Sequence, residues 1–113
     1  MKDSEKIILQ KIKKYALQAI EFKGAVLSIE DFEKDAKTVA ACSMMLAQVG
    51  ELAGKLNENF IDSHNHIHWR QMRALRNRIA HDYEGLNLEI MWEVLDDLLP
   101  KLIDDIRELL RFE

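Results

Sequence analysis

The chain has 113 residues, one domain's worth of sequence (1–113), and is 48% apolar and 32% charged with a single Pro and four Gly, so it is globular and poor in turn-formers. Its formal charge is −4, from 16 Lys+Arg against 20 Asp+Glu, which taken whole argues against a nucleic-acid binder. Cys42 is the only cysteine, so an intrachain disulfide and a cysteine-based zinc cluster are excluded.

The start, Met1 to Lys6, is charged and no apolar run follows it, so no signal peptide is expected. Apolar residues then recur at helical spacing. Ile8, Ile12, Tyr15 and Ala19 form a stripe, with Ile20 and Phe22 beside it, and predict a first helix over Ser4 to Phe22. Lys23-Gly24 ends it.

Ser28 lies three positions before Asp31, a near match to a capping box, and starts a second helix predicted to run to Leu56. Val39, Cys42, Leu46, Val49, Ala53 and Leu56 make its core face. The neighbouring stripe, Ala36, Ala40, Ser43, Ala47, Gly50 and Gly54, is small throughout. Gly inside a helix costs about 1 kcal/mol against Ala, so another backbone is expected close to this face. Tight packing within one chain and a seam between two copies both satisfy that pattern. The longest apolar stretch, Val39 to Ala47, is interrupted by Ser43 and is shorter than the ~18 residues of a membrane span. A soluble, cytoplasmic, reduced protein is expected.

Residues 57–66 read as a polar loop. A third helix is predicted over His68 to His81, burying Trp69, Met72, Leu75 and Ile79, with Gly85 as its stop. A fourth starts near Leu88 and carries Leu88, Trp92, Leu95, Leu99, Leu102, Ile106 and Leu109 on one face. Pro100 lies inside it and cannot donate to the Asp96 carbonyl, so a kink is expected. The fold class is all-α, an antiparallel four-helix up-and-down bundle with a kinked C-terminal helix.

Charge is unevenly spread. Residues 63–83 hold Arg70, Arg73, Arg76 and Arg78 against Asp82 alone, and all four His (64, 66, 68, 81). Residues 84–113 hold three basic and nine acidic side chains. The acidic run Glu93, Asp96, Asp97, Asp104 and Asp105 reads as a solvated face or as a surface for a basic partner.

Within the basic segment, Arg76 and His81 are separated by four residues, and Asn77 follows the Arg. Asn77 and His81, four apart, share a helix face. Arg76 and His81 lie about 140° apart around the axis, so they converge only if the long Arg side chain bends around or the helix ends near His81. Imidazole accepts and donates protons near neutral pH, and guanidinium matches phosphate geometry. Asn can orient a phosphate or fix the imidazole. Together they suit metal-free RNA cleavage, in which a 2′-OH attacks the adjacent phosphorus and Arg stabilises the added charge. A helix-end His satisfied by the negative end of the dipole is the plain structural alternative.

Arg76-(x)4-His81-x-Tyr83, with Asn77 after the Arg, resembles the HEPN ribonuclease motif. The surroundings resemble the HepT-like toxins of HepT–MntA (type VII) toxin–antitoxin pairs. The matching stretches are Val49-Gly50-Glu51, Ile67-x-Trp69, Leu75 to Tyr83, Leu88-Glu89-Ile90-x-Trp92 and Leu99-Pro100. The resemblance implies an all-α homodimer whose two motifs face a shared cleft. It implies a metal-independent endoribonuclease without cofactor, with Arg76, Asn77 and His81 as catalytic residues and RNA as substrate. It further implies an MntA-like nucleotidyltransferase antitoxin that neutralises the toxin by adding AMP to Tyr83. A ring packing at a helix end is the plain alternative for Tyr83.

Arg70, Arg73 and Arg78 are candidate RNA contacts; Arg70 and Arg73 could equally pair with the acidic tail. Glu51 could orient Arg76 or Arg78, or be an ordinary exposed helical residue. His64, His66 and His68 alternate like a metal comb, but no carboxylate stands at a convincing spacing, and no metal site is assigned. Two rival functions remain: a catalytically inactive HEPN subunit that binds a minimal nucleotidyltransferase, and a plain helical interaction protein.

Overall fold

Helix α1 (Asp3–Lys23) opens with Asp3 and Glu5 in its first turn and closes with Lys23 in its last, both favourable to the helix dipole. Gly24 takes φ +51° and ends it, a conformation that L side chains rarely adopt. The computed structural model describes residues 1–112; Glu113, the last residue of the expected 1–113 domain, lies outside the described residues. The fully buried line of α1 is Leu9, Ile12, Ala16 and Ala19, with Ile8 and Tyr15 half-buried beside it. The expected stripe was therefore centred one residue off, because the apolar face is wider than a single line.

The single helix expected from Ser28 to Leu56 is two. Helix α2 (Ile29–Lys34) is capped by Ser28, whose hydroxyl accepts from the Asp31 amide at 3.2 Å. Helix α3 (Ala36–Ala53) begins afresh at Asp35. That residue leaves helical geometry (φ −106°, ψ 77°), and its carboxylate accepts from the Thr38 amide at 3.1 Å and the Thr38 hydroxyl at 2.7 Å. These two bonds hold the Asp35 carboxyl below its ordinary pKa. Asp-x-x-Thr is a start signal in its own right, and a cap inside an apolar pattern breaks the helix there.

Residues 57–66, expected as loop, contain helix α4 (Glu58–Ser63). Asn57 caps it by accepting from the Phe60 amide at 2.8 Å, and it buries Phe60 and Ile61. Helix α5 (Trp69–His81) matches expectation. Its stop is Asp82 (φ −153°, ψ 60°), not Gly85, which closes the following 3₁₀ turn, Tyr83–Gly85. Helix α6 (Leu88–Glu93) is capped by Asn87, which accepts from Glu89 at 3.0 Å and Ile90 at 3.2 Å. A π-helical turn, Val94–Leu98, joins it to α7 (Leu99–Arg111). The disturbance expected at Pro100 is this wide turn, where the Leu99 amide donates to the Val94 carbonyl immediately before the proline.

α1, α3, α5 and the α6–α7 rod form an antiparallel four-helix bundle of 42 × 28 × 20 Å. Its core includes Leu9, Ile12, Leu46, Val49, Trp69, Met72, Leu95, Leu99 and Ile106. Trp92 ties α1, α2 and α6 together: Phe32 packs at 5.4 Å between ring centroids, and the Lys23 ammonium lies 4.3 Å from the ring centroid. Lys23 also reaches Asp96 at 3.2 Å. The rest of the acidic run is largely solvated, with Glu93, Asp97 and Asp104 exposed. No helix among the described residues is long and apolar enough to cross a membrane.

The small-residue stripe of α3 packs within the chain at its centre. The Ser43 hydroxyl donates to the Val39 carbonyl at 2.7 Å and lies 3.6 Å from the Met91 sulfur. A Cβ on Gly50 would overlap the Arg76 Cβ and the Met72 carbonyl oxygen of α5. Ala36 and Ala40, at the other end of the stripe, are exposed.

Because the Met72 obstruction is backbone, Gly50→Ala should destabilise the protein by about 1–3 kcal/mol, the usual range for overpacking. A fall in the urea midpoint at unchanged m-value would show it, and an unchanged midpoint would mean that α5 can move aside. Cys42 is buried with its thiol 3.5 Å from the Ala19 carbonyl, and burial pushes its pKa up to about 11. Native protein at pH 8 should therefore react with a thiol reagent far more slowly than urea-unfolded protein. Equal labelling rates would refute the burial.

Candidate functional site

Helix α5 and the turn after it carry Arg73, Arg76, Asn77, Arg78, His81 and Tyr83. α5 rests on α3 at the Gly50 contact, and Gly54, one turn on, lies beside Arg73. The two helices are thus close enough for polar side chains of α3 to reach the Arg row.

Glu51 does so. Its Oε2 forms an ion pair with the Arg76 Nε at 2.9 Å, while the Arg76 Nη1 donates to the Asn77 side-chain oxygen at 3.2 Å. A guanidinium has five N–H groups, and the bond to Asn77 uses one at Nη1, so terminal N–H groups remain for an incoming anion. Of the two arginines considered for Glu51, it pairs with Arg76 and is itself exposed.

The other Arg residues separate. Arg70 pairs with Glu58 at 3.0 Å and Asp62 at 3.5 Å, and Arg73 with Glu58 at 3.7 Å. Their partners are thus the carboxylates of α4, not the acidic tail. Arg78 makes no ion pair or side-chain hydrogen bond among the described residues. It lines an open groove of about 680 Å³ between α5 and α6, with Leu75, Leu86, Ile90, Val94 and Leu98.

His81 is exposed at the last position of α5, next to the carbonyl end of the helix, and its ring has no hydrogen-bond or ion-pair partner among the described residues. No side-chain hydrogen bond or ion pair joins it to Arg76 or Asn77 among the described residues; Asn77 turns to Arg76 instead. The structure therefore gathers Glu51, Arg76 and Asn77 into one cluster and leaves His81 apart, on the same helix and free. Tyr83 opens the next turn and is 43% exposed, so part of its side chain is accessible and part is packed.

The histidine comb does not assemble. His64 packs on Phe60 with ring centroids 4.5 Å apart and stands 6.4 Å from His66. Among the described residues no three His, Cys, Asp or Glu side chains converge as a metal site.

Residues 6–109 match the family described as ribonuclease HepT-like. A "putative RNase" of Methanocaldococcus jannaschii is 33% identical over 85 residues, covering 75% of this chain and 70% of the relative. A "putative RNase" of Caldanaerobacter subterraneus is 32% identical over 104 residues, covering 88% of this chain and 91% of the relative. A "probable ribonuclease HepT" of Thermococcus cleftensis is 31% identical over 102 residues, covering 90% and 92%. No solved structure matches the chain at a significant level. The match spans every helix of the bundle and the whole Arg76-to-Tyr83 segment, and the chain belongs to the HepT-like ribonuclease family.

Proposed function

We propose that this protein is a metal-independent endoribonuclease, the toxin of a HepT–MntA type pair, built as one domain and acting as a homodimer. The observation that carries the reading is the division of labour on α5. Arg76 is a guanidinium fixed on one side by Glu51 at 2.9 Å and Asn77 at 3.2 Å, whereas His81 is exposed and unpartnered at the helix end. A fixed cation suits a phosphate, and a free imidazole suits proton transfer.

In this mechanism Arg76 binds the scissile phosphate through its remaining N–H groups, and Asn77 keeps the guanidinium planar to it. His81 takes the 2′-OH proton. The oxygen attacks phosphorus, the P–O5′ bond breaks, and the 5′-oxygen leaves with a proton from an acid. The products are a 2′,3′-cyclic phosphate and a 5′-OH. One chain offers one His at this segment, so two His81 across a two-fold axis supply base and acid together. Arg78, on the rim of the α5–α6 groove, and Arg70 and Arg73 extend the phosphate track.

Tyr83 is the regulatory position in this reading. Its exposure two residues beyond His81 lets a nucleotidyltransferase antitoxin attach AMP to the phenol. A phosphodiester there brings negative charge and bulk beside the Arg row and competes with RNA for it.

Purified protein should cleave RNA in excess EDTA and leave 2′,3′-cyclic phosphate ends. His81→Ala should lower the rate by about 10²–10⁴-fold, the usual contribution of an acid–base group. Wild-type cleavage by the His81→Ala protein would sink the mechanism. Tyr83→Phe should keep the nuclease and, on co-expression with an MntA-like nucleotidyltransferase that neutralises the wild type, stay toxic. A Tyr83→Phe protein that is still neutralised would show that the phenol is not the switch.

A further inference from the structure

α5 lacks the second neighbour that a four-helix bundle gives each of its helices. It packs closely on α3 and makes no comparable contact with α1, α6 or α7. The consequence is the open groove of about 680 Å³ between α5 and α6, whose walls include Leu75, Leu86, Ile90 and Leu98. None of these side chains is fully buried, and Ile90 is 53% exposed. Apolar walls left wet in this way favour a partner that covers them.

The charges of the groove are also without partners. Arg78 stands on the α5 wall, with Glu93 and Asp97 on the wall opposite. Among the described residues none of the three has an ion pair or a side-chain hydrogen bond, whereas Arg70, Arg73, Arg76, Arg107 and Arg111 each lie within 3.9 Å of a carboxylate. One wall is thus cationic, the other is anionic, and apolar surface separates them. A second copy of the chain carries the complement of both walls. A two-fold axis along the groove sets the α5 wall of each copy over the α6 wall of the other, so that every Arg78 meets carboxylates.

We infer that the α5–α6 groove is the face by which two copies of this chain pair, with the apolar walls buried against each other and Arg78 of each copy bridged to Glu93 and Asp97 of the other. The seam rests on the homodimer proposed above and names its face. Its rival is the exposed end of the small-residue stripe of α3, at Ala36 and Ala40. A guanidinium has five donors, so an Arg78 paired across the seam keeps N–H groups for the phosphate track.

Sedimentation equilibrium of the full chain tests this, against 13.2 kDa for one copy. Wild type should be a dimer. Ile90→Lys, which puts an ammonium into the apolar seam, and Arg78→Glu, which sets like charges opposite each other, should each raise the dimer dissociation constant about tenfold or more, since each acts twice at a two-fold seam. The double variant Glu93→Lys, Asp97→Lys should weaken in the same way. An equimolar mixture of it with Arg78→Glu should form a mixed dimer, because both sets of opposite charges are then restored. Ala40→Glu, at the rival seam, should leave the constant within about threefold of wild type. The substituted residues are all exposed, so the helical circular dichroism of each variant should match wild type. A wild-type dimer that ignores Ile90→Lys and Arg78→Glu overturns the seam and leaves the homodimer standing. So does a charge-reversed pair that fails to associate on mixing, and this arm decides the matter even where Ile90→Lys does not fold. A monomeric wild type overturns the homodimer and the seam together, and leaves the groove to a helix of a different protein.

Discussion

The candidate site depends on the absence of one methyl group. Ordinary helix pairs stand about 8–10 Å apart, held off by the side chains between them. At Gly50 there is no such side chain, and the backbone of α3 meets the Met72 carbonyl and the Arg76 Cβ directly. An isolated helix is weakened by Gly relative to Ala, by about 1 kcal/mol. Here the preference reverses, because an Ala methyl has no space that side-chain motion alone can open. The flanking Val49 and Ala53 are fully buried and hold α3 in register against the rest of the core. The contact also sets the reach of Glu51 and brings Gly54 beside Arg73, so the same approach that packs the bundle builds its polar face.

The bundle is fastened unevenly. Trp92, between Phe32 and Lys23, closes the side where α1, α2 and α6 meet, and Lys23 reinforces it through Asp96. The side where α5 faces α6 is instead an open groove, with Leu75 and Arg78 on one wall and Ile90 and Val94 on the other. α5 is therefore anchored through α3, where Arg76 meets Glu51, and of the candidate residues it is Arg78 that faces the groove.

Much of this was legible in the residues, for identifiable reasons. Amphipathic spacing located the four long helices, because burial of an apolar face outweighs local propensity over many turns. It failed where a short polar signal overrode the pattern. Asp35 reads as one more exposed acid in a helical run until its pairing with Thr38 is seen, and Asn57 starts α4 inside a stretch that looks like loop. Pro100 marked the disturbed part of the last helix, but the form of the disturbance, a π turn, depends on packing that spacing does not encode. The Arg76–His81–Tyr83 motif named candidate residues without their arrangement. Asn77 shares a helix face with His81 yet bonds to Arg76, because Arg is already turned toward α3 by Glu51. That partnership spans 25 positions of sequence and depends on the Gly50 approach, so no local pattern carries it.

The same pairings change what the charge distribution means. Residues 63–83 hold four Arg and one acid, yet Arg70, Arg73 and Arg76 each meet a carboxylate from α3 or α4. The local excess is largely compensated in space, so a nonspecific polyanion gains little by lying along α5. A phosphate approaching Arg70 or Arg73 has to compete with Glu58 or Asp62, whose exposed pairs open readily and are further weakened by salt. A phosphate approaching Arg76 need not displace Glu51, because the carboxylate lies at the Nε edge and, apart from the Nη1 bond to Asn77, the terminal N–H groups are unpaired. Discrimination then comes from geometry rather than from net charge. An acidic protein of charge −4 can bind RNA at one place only if the cation there is compensated enough to ignore most anions and aimed well enough to hold one.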